Sequence, residues 1–460
     1  MSVLKIINKY KMSRHDRRRS MFLAIVVSIG SIIAATCGAG NILSLAAIKL
    51  GAGEMFLGFF NFVSIAPFVL ALLTMSKIET SGKIRVLVVW WSLSAICMIP
   101  FLFLPLAAEW WPGWICLTLL AISNALRNGA TALGSTGWFP LLQDIVPRRY
   151  TGRFFARLRT NWQTANLICL IAAAFILGSH PGWGRFEILF ALALAGQIVT
   201  VLPLLGIVEK KPRKDEAAEV SIYKRIVEFL EQKVLRNYTI YVIFYMLAAG
   251  AMEPFNIKLL SDLGYSYGFI LAATAMVGFG AVISLRFWGT MADNFGNRAI
   301  FSISHVGMLL STAAWLFVGK SSTAGMTLVT LLYLCWSVFN SGNTLAQTNY
   351  MLRAVPSHKQ NYMNFIVLAQ RMATAVAPLA AGLFLNFSGG LHFNIRNAVH
   401  IDGYDILFAV NAIAFVIPHL MRSHLRAETD LPTSHVLTLV ARPILDTIVY
   451  AFRPIKPRQK

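Results

Sequence analysis

Charged residues are scarce in this chain, and acidic residues are the scarcest of them. Charged side chains make up 13% of the 460 residues and hydrophobic side chains 57%, whereas a soluble protein carries roughly a quarter charged residues. This shortage excludes an ordinary soluble fold. The 20 acidic residues are also too dispersed along the chain to predict a catalytic cluster at one interface.

Two further shortages narrow the functional classes. No GxxxxGK[ST] loop occurs, which excludes the phosphate-cradling site of an ATP-driven pump. There are five cysteines, and each falls inside an apolar run, where cysteine behaves as a small buried hydrophobe. We therefore expect no disulfide framework, no metal site and no cofactor. The cysteines are Cys37, Cys97, Cys116, Cys169 and Cys335.

Long apolar runs are what the sequence has in abundance. About 20 apolar residues are needed to cross the hydrocarbon core as a helix, and a segment in lipid must satisfy its own backbone groups. The runs predict an all-α polytopic membrane protein with twelve spans. The predicted spans are 20–48, 54–76, 85–105, 113–141, 160–179, 185–207, 237–260, 264–290, 298–319, 324–350, 362–386 and 404–424.

Basic residues cluster in alternate connections between these runs. The formal net charge of +21 therefore indicates positively charged cytoplasmic loops rather than nucleic-acid binding. The even number of spans places both termini on the same side, so we expect both to be cytoplasmic, in the cell (inner) membrane. The clusters are Arg14 to Arg19, Lys77 to Arg85, Arg148 to Arg159, and Lys210 to Arg236.

The longest charged interruption follows the sixth run and divides the chain into two halves. We expect a cytoplasmic N-terminal tail at 1–19, a six-helix bundle at 20–207, a linker at 208–236, a second six-helix bundle at 237–424 and a basic tail at 425–460. Ile222, Ile226, Leu230 and Val234 recur at helical spacing in the linker, which predicts an amphipathic helix on the membrane surface.

The two halves share a weak repeat. An acid and a glycine, Glu79 and Gly82, follow span two, and Asp293 and Gly296 follow span eight 214 positions later. Val-Pro pairs follow spans four and ten, with prolines 209 positions apart at 147 and 356. Duplicated halves of this kind are the architecture of a rocking carrier that holds its solute at the midplane.

The segment Gly289-Thr-Met-Ala-Asp293-Asn-Phe-Gly296-Asn-Arg298 resembles the signature GxxxD(R/K)xGR(R/K) of the major facilitator superfamily. The first-half copy keeps only Glu79 and Gly82, and Asn294 stands where the family usually has Arg or Lys. The resemblance covers about residues 15–425. It implies twelve transmembrane helices in two six-helix bundles and transport by alternating access.

The loop residues around these motifs are candidates for a cytoplasmic gate. A carboxylate near a helix N-terminus is stabilised by the helix dipole and can pair with arginine across the seam between halves. The alternative is that these are ordinary turn-forming or topogenic charges. The gate candidates are Glu79, Gly82, Asp293, Gly296, Arg298, Arg153 and Arg353.

Two arginines inside the spans point to a central site, since a charge at mid-membrane costs ~2.5–3.5 kcal/mol on insertion scales. Under the repeat offset, Arg127 corresponds to Trp336 and Arg371 to Trp162. Arginine offers forked donors and tryptophan a stacking face; the open alternative is bonding between helices. The substrate-binding candidates are Arg127, Asn124, Trp162, Asn166, Trp336, Asn340, Asn343, Gln347 and Arg371.

Glu253, next to Pro254 in the outer half of span seven, is the candidate for carrying a coupling proton or sodium ion, because proline frees a carbonyl beside it. The alternatives are that Glu253 is a partner for Lys258 or Lys49, or that it is simply exposed at the outer mouth. Arg127 also resembles the span-four arginine of proton-coupled family members, although Gly129 follows it more closely than usual. Span five lacks the family's Gly-Pro antiporter signature, since 168–178 contains no proline, which favours uptake or facilitated flux.

The sequence thus predicts a monomeric secondary active or facilitative transporter rather than an enzyme, with a small polar solute, the lipid bilayer and a coupling ion as its partners. A sugar and an organic or phosphorylated anion remain nearly equal as solutes, and a sugar symporter is one form of the prediction. The alternatives are a transporter-like sensor and, less favoured, a membrane-embedded transferase.

Overall fold

The computed structural model describes residues 13–72, 82–147, 151–179, 181–209, 222–355, 361–388, 393–395 and 399–425. Ten helices in this part of the chain are long and apolar enough to cross a membrane. The shorter apolar helix Glu54–Leu70 and the more polar helix Gly113–Ser135 lie where spans two and four are predicted. The predicted all-α architecture with twelve spans is confirmed.

The first six spans overlap their predicted regions, and several consist of two helical pieces. Span 1 starts at Arg14, six residues before its predicted start at 20, because Ser13 caps the helix through Asp16 N–H. The pieces are Arg14–Gly38 and Gly40–Lys49 (span 1), Glu54–Ile65 and Ala66–Leu70 (span 2), Lys83–Ile96 and Ile99–Trp110 (span 3), Gly113–Ser135 and Trp138–Ile145 (span 4), Thr151–Leu177 (span 5), and Trp183–Val201 and Leu202–Gly206 (span 6).

The last six spans follow the same scheme. Spans 8 and 9 follow each other directly within Tyr267–Ala313, and the chain turns between them at Gly296, whose backbone is not helical. The pieces are Lys233–Gly250 and Glu253–Asp262 (span 7), Tyr267–Ala292 (span 8), Asn294–Phe317 (span 9), Thr323–Ala354 (span 10), Asn361–Ser388 (span 11), and Gly403–Ala414, Val416–Met421 and Arg422–His424 (span 12). A two-stranded antiparallel hairpin, Phe393–Ile395 with Val399–Ile401, precedes span 12; the sequence did not predict it.

Spans 1 and 7 are each broken part of the way along their length. Span 1 breaks at Ala39, which is extended between Gly38 and Gly40. Span 7 breaks after Gly250 and restarts at Glu253, with Pro254 in the first turn of the new helix, where proline costs no hydrogen bond. Each break frees backbone carbonyls in mid-membrane, so each needs a partner there.

The repeated glycines mark equivalent turns. Gly82 has φ +85° and Gly296 has φ +75°, a left-handed conformation that glycine adopts without strain. Each lies at the start of a span, span 3 and span 9. The repeat therefore reflects a shared backbone requirement at the two positions.

Buried apolar residues form one shared core at one end of the bundle and separate cores at the other. We name the tail side for the end where span 1 begins and span 12 ends, and the far side for the opposite end. At the far side one cluster unites residues of both halves, such as Leu57 and Phe60 with Phe255 and Leu260. At the tail side, a cluster around Leu87 belongs to the first six spans and another belongs to the last six.

The linker forms a short helix, Ile222–Glu231, ahead of span 7. Its Phe229 is buried against Tyr362 and Phe365 of span 11, with ring centroids 5.4 Å and 5.7 Å away, while Ile226 and Leu230 are exposed. A helix is present where the amphipathic helix is predicted, its placement on the membrane surface stays a prediction, and the tail at 426–460 lies outside the described residues.

Candidate functional site

A cavity of about 510 Å³ lies between the two halves, next to the shared far-side core. Spans 1, 5, 7, 8, 9, 10 and 12 contribute its walls. Its volume is in the range of small-molecule sites, which measure roughly 300–1,000 Å³. The breaks in spans 1 and 7 lie in its wall, since Ala39, Gly40, Met252 and Glu253 line it.

Aromatic rings form much of the cavity's surface. The predicted pair Trp162 and Trp336 both line it, one from each half, and Trp315 and Tyr333 join them. Trp162 is 38% exposed. The repeat offset, which paired Trp336 with Arg127 and Trp162 with Arg371, thus identified two tryptophans that line the same cavity.

Amide side chains supply the polar part of the wall, and two of the predicted ones are held by hydrogen bonds. The Thr36 hydroxyl donates to Asn166 Oδ1 at 2.8 Å, and the Tyr245 hydroxyl donates to Asn340 Oδ1 at 2.7 Å. Both amides line the cavity. Further amide side chains in the wall were not among the predicted binding residues: Asn41, Gln163, Asn256 and Asn411.

Glu253 is the one acidic or basic side chain among the described residues that line the cavity. It lies in the first turn of the restarted helix of span 7, where the helix dipole favours a negative charge. The side chain is open to the cavity and Tyr333 lies nearby. The predicted alternative, a pair with Lys258, is not formed, because Lys258 instead binds Asp262 at 2.6 Å.

Arg127 does not line the cavity, contrary to the prediction. Its Nη1 donates to the carbonyl of Gly38 at 3.0 Å and its Nη2 to that of Ala34 at 3.4 Å, and only 5% of the residue is exposed. The break of span 1 frees the Gly38 carbonyl, and Arg127 is the partner that satisfies it. The sequence showed the cost of this charge but not the broken helix that binds it.

Three predicted amides also lie outside the cavity wall. Asn124 donates to the Ser64 hydroxyl at 2.6 Å and joins spans 4 and 2. Asn343 and Gln347 are on the helical side that carries Asn340, but both are buried, with Tyr241 of span 7 bonded to Asn343 and Gln370 of span 11 bonded to Gln347. The alternative reading, bonding between helices, holds for Asn124, Asn343 and Gln347.

Span 7 covers that part of span 10 with a row of tyrosines that the sequence analysis missed. The Tyr241 hydroxyl lies 3.0 Å from Asn343 Oδ1 and 2.9 Å from His305 Nε2. The Tyr238 hydroxyl donates to the Gln347 carbonyl at 2.7 Å. Tyr238, Tyr241 and Tyr245 follow the i, i+3, i+7 spacing that places side chains on one helical face, and that spacing was the available signal.

Arg371 also lies apart from the cavity wall. Its guanidinium lies over the ring of Phe68 in span 2, with 5.0 Å between Cζ and the ring centroid. This contact joins span 11 to span 2, and therefore the two halves, on the tail side of the cavity. Neither predicted arginine supplies a positive charge to the described cavity wall.

The far side is sealed by close backbone approach. Gly58 in span 2 lies against Pro378 and Gly382 in span 11, where an added Cβ would be 2.5 Å from the Pro378 carbonyl oxygen. Gly268 in span 8 donates its N–H to the carbonyl of Gly178 in span 5 at 2.7 Å.

Polar contacts reinforce this seal. Glu54 accepts from the Tyr404 hydroxyl at 3.2 Å and lies 4.0 Å from Lys258 Nζ. Both contacts join span 2 to the second half. The far-side seal therefore consists of two glycine contacts and one carboxylate with partners on spans 7 and 12.

Two described tail-side contacts of charged side chains lie near the start of span 3. Lys83 pairs with Asp144, and Glu209 accepts from the Ile84 N–H at 2.8 Å, capping span 3 beside Gly82. Of the predicted gate residues, Glu79 and the side chains of Arg153 and Asp293 lie outside the described residues. Gly296 forms the turn between spans 8 and 9, and Arg298 and Arg353 are both engaged in interactions.

Comparisons with known proteins identify the family of this chain and the proteins that share its fold. The family model described as Major Facilitator Superfamily matches residues 21–378. A sequence search of curated proteins finds no match. Among solved structures, the nucleoside transporter NupG is similar with a TM-score of 0.65 at 12% identity, covering 90% of this chain and 100% of that one.

Two other solved structures give the same picture. A bacterial homologue of the human lysosomal transporter Spinster, in an inward-facing and occupied conformation, has a TM-score of 0.69 at 14% identity, with 90% of this chain and 97% of that one covered. The xylose transporter XylE from E. coli, in an inward open conformation, has a TM-score of 0.64 at 13% identity, covering 91% and 99%. With its sequence match spanning most of the twelve helices and a fold shared with these transporters, the chain belongs to the major facilitator superfamily.

Proposed function

We propose that this protein carries a small polar solute across the membrane by alternating access through the central cavity. The observation that carries the proposal is the arrangement of its cores. The halves share one apolar core at the far side and have separate cores at the tail side. If residues 20–207 rock against residues 237–424 about the cavity, the far side opens and the tail side closes.

The side chains of the wall bear on which solute is carried. Tryptophan faces and amides suit a ring or hydroxyl-bearing solute, as the sugar prediction requires. The anion alternative rested on Arg127 and Arg371, and these bind the Gly38 carbonyl and the Phe68 ring instead. We therefore favour a neutral or cationic solute over an organic or phosphorylated anion.

The direction of transport and its energy source belong to the same proposal. The tail side is cytoplasmic, because the basic clusters of the sequence lie there, so the conformation is the inward-facing one and the monomer sits in the inner membrane. Glu253 is the carboxylate in the cavity wall that a proton or a sodium ion would neutralise. Coupling at this residue would make the protein a symporter driving uptake.

Counterflow in proteoliposomes tests the proposal. A thermal-shift screen of sugars, sugar phosphates, carboxylates and amines first selects a ligand, because binding to the native state raises apparent stability. We expect labelled ligand to accumulate in vesicles preloaded with the unlabelled compound. Binding without accumulation would indicate a sensor, and chemical conversion without flux a transferase.

A pair of tryptophan variants gives the control. Trp336→Leu removes an aromatic face of the cavity, whereas Trp111→Leu removes a ring that is exposed at the far side. We expect flux to fall in the first variant and to stay unchanged in the second. Equal flux in both would mean that the solute does not pass through this cavity.

A further inference from the structure

We propose that the solute is an organic monocation, an ammonium compound whose charge is balanced by Glu253. The inference rests on the proposed transport function and names its substrate class. It starts from the electrostatics of the wall: one carboxylate, aromatic rings and amides, with no basic side chain among the described lining residues.

Glu253 has no hydrogen bond or ion pair within the described part of the chain, although its side chain is open to the cavity. Two lysines near the far side, which the sequence offered as partners of Glu253, are bound elsewhere. Lys258 Nζ lies 2.6 Å from Asp262, and Lys49 donates to the Pro181 carbonyl at 2.7 Å. A lone carboxylate within the membrane is costly, so the cavity is complete only when a positive charge enters it.

Asn256 adds a second acceptor on the same helical face, three residues after Glu253. Its Oδ1 is buried and has no hydrogen-bond partner among the described residues, and the residue lines the cavity. Buried acceptors are normally satisfied. The carboxylate and the amide lie one turn apart, and the negative end of the Asn256 amide dipole adds to the attraction of a positive charge at this part of the wall.

The aromatic rings explain why the cation is organic. Trp162, Trp315, Trp336 and Tyr333 line the same cavity as Glu253. Aromatic faces attract cations through their quadrupole, tryptophan most strongly, and groups of such rings recognise ammonium ligands. A bare metal ion would instead need a cluster of oxygen ligands.

Matched ligands isolate the charge. Choline and 3,3-dimethylbutan-1-ol have the same shape and differ in a quaternary nitrogen against a carbon, and 3,3-dimethylbutanoate supplies the anion. Titration calorimetry on the full chain in nanodiscs measures their affinities. We expect choline to bind at least about tenfold more tightly than the alcohol and the anion, a difference of about 1.4 kcal/mol.

Matched variants assign that preference to one residue. Glu253→Gln keeps the shape and removes the charge, whereas Glu187→Gln makes the same change at an exposed position of span 6 outside the cavity wall. We expect the first variant to lose the preference for choline and the second to keep it. Trp336→Leu should weaken choline by about twofold to thirtyfold, with unfolding temperatures recorded for every variant to show that the fold is intact.

The outcomes separate this inference from the transport proposal. Equal affinity for choline and the alcohol, a preference for the anion, no choline binding at all, or a preference that survives Glu253→Gln would each overturn the cation assignment. Choline binding without choline counterflow would overturn transport and leave the cation site standing. Counterflow of D-xylose without choline binding would do the reverse.

Discussion

The far-side seal gives the sharpest test of the rocking motion, through the substitution Gly58→Ala. The added Cβ would lie 2.5 Å from the Pro378 carbonyl oxygen and 3.2 Å from Gly382 Cα. These are backbone atoms that cannot rotate away, so spans 2 and 11 must separate. Overpacking of this kind costs about 1–3 kcal/mol, and the cost applies only while the far side is closed. The closed-to-open ratio should fall about 5- to 150-fold.

Double electron–electron resonance measures the far-side separation between spin labels at Met55→Cys and Asp402→Cys. Both substitutions are made in a background without the native cysteines. We expect Gly58→Ala to lengthen the distance distribution and to slow transport, because one conformation becomes scarce. Gly184→Ala is the matched control, since an added Cβ there meets nothing within 4 Å. A distance distribution that Gly58→Ala leaves unchanged would refute the seal.

Three other substitutions test separate parts of the structure. Arg127→Ala removes the donors to the Gly38 carbonyl and should lower the free energy of unfolding by about 1–3 kcal/mol, so thermal stability should fall together with flux, and an unchanged unfolding temperature would contradict the role. Tyr241→Phe breaks two buried hydrogen bonds and should cost about 1–3 kcal/mol of stability while ligand affinity stays within a factor of about two, as calorimetry can check. Glu54→Gln removes the charge that faces Lys258 across the far-side seal and should weaken the seal by about 0–1 kcal/mol. The far-side spin-label distance should therefore lengthen slightly, and a shorter distance would contradict the role of Glu54.

The architecture was predictable because the signals for spans are local. The apolar runs and the glycine repeat at 82 and 296 depend on each segment's own backbone, and these expectations held. Part of the site followed from the same repeat. Trp162 and Trp336, the residues that the offset paired with Arg371 and Arg127, lie in the cavity wall.

The rest of the site depends on how far along each helix its neighbours pack against it. The sequence of a single span does not contain that information. Arg127 binds the Gly38 carbonyl, which is free only because span 1 is broken at Ala39, far away in sequence. Asn343 and Gln347 lie on the side of span 10 that faces the cavity at Asn340, but neighbouring spans cover them. The spacing of polar residues predicts which residues share one side of a helix. The packing of neighbouring helices determines which of those residues face the cavity.

Alternating exposure of one cavity residue is the most direct test of the carrier. Asn340→Cys, in a background without the five native cysteines, places a thiol in the cavity wall, and a membrane-impermeant maleimide can be applied to right-side-out and inside-out vesicles in turn. The account predicts labelling from both sides, with Gly58→Ala raising the rate from the far side and lowering it from the tail side. Labelling from the tail side alone, both with and without Gly58→Ala, would contradict transport through this cavity.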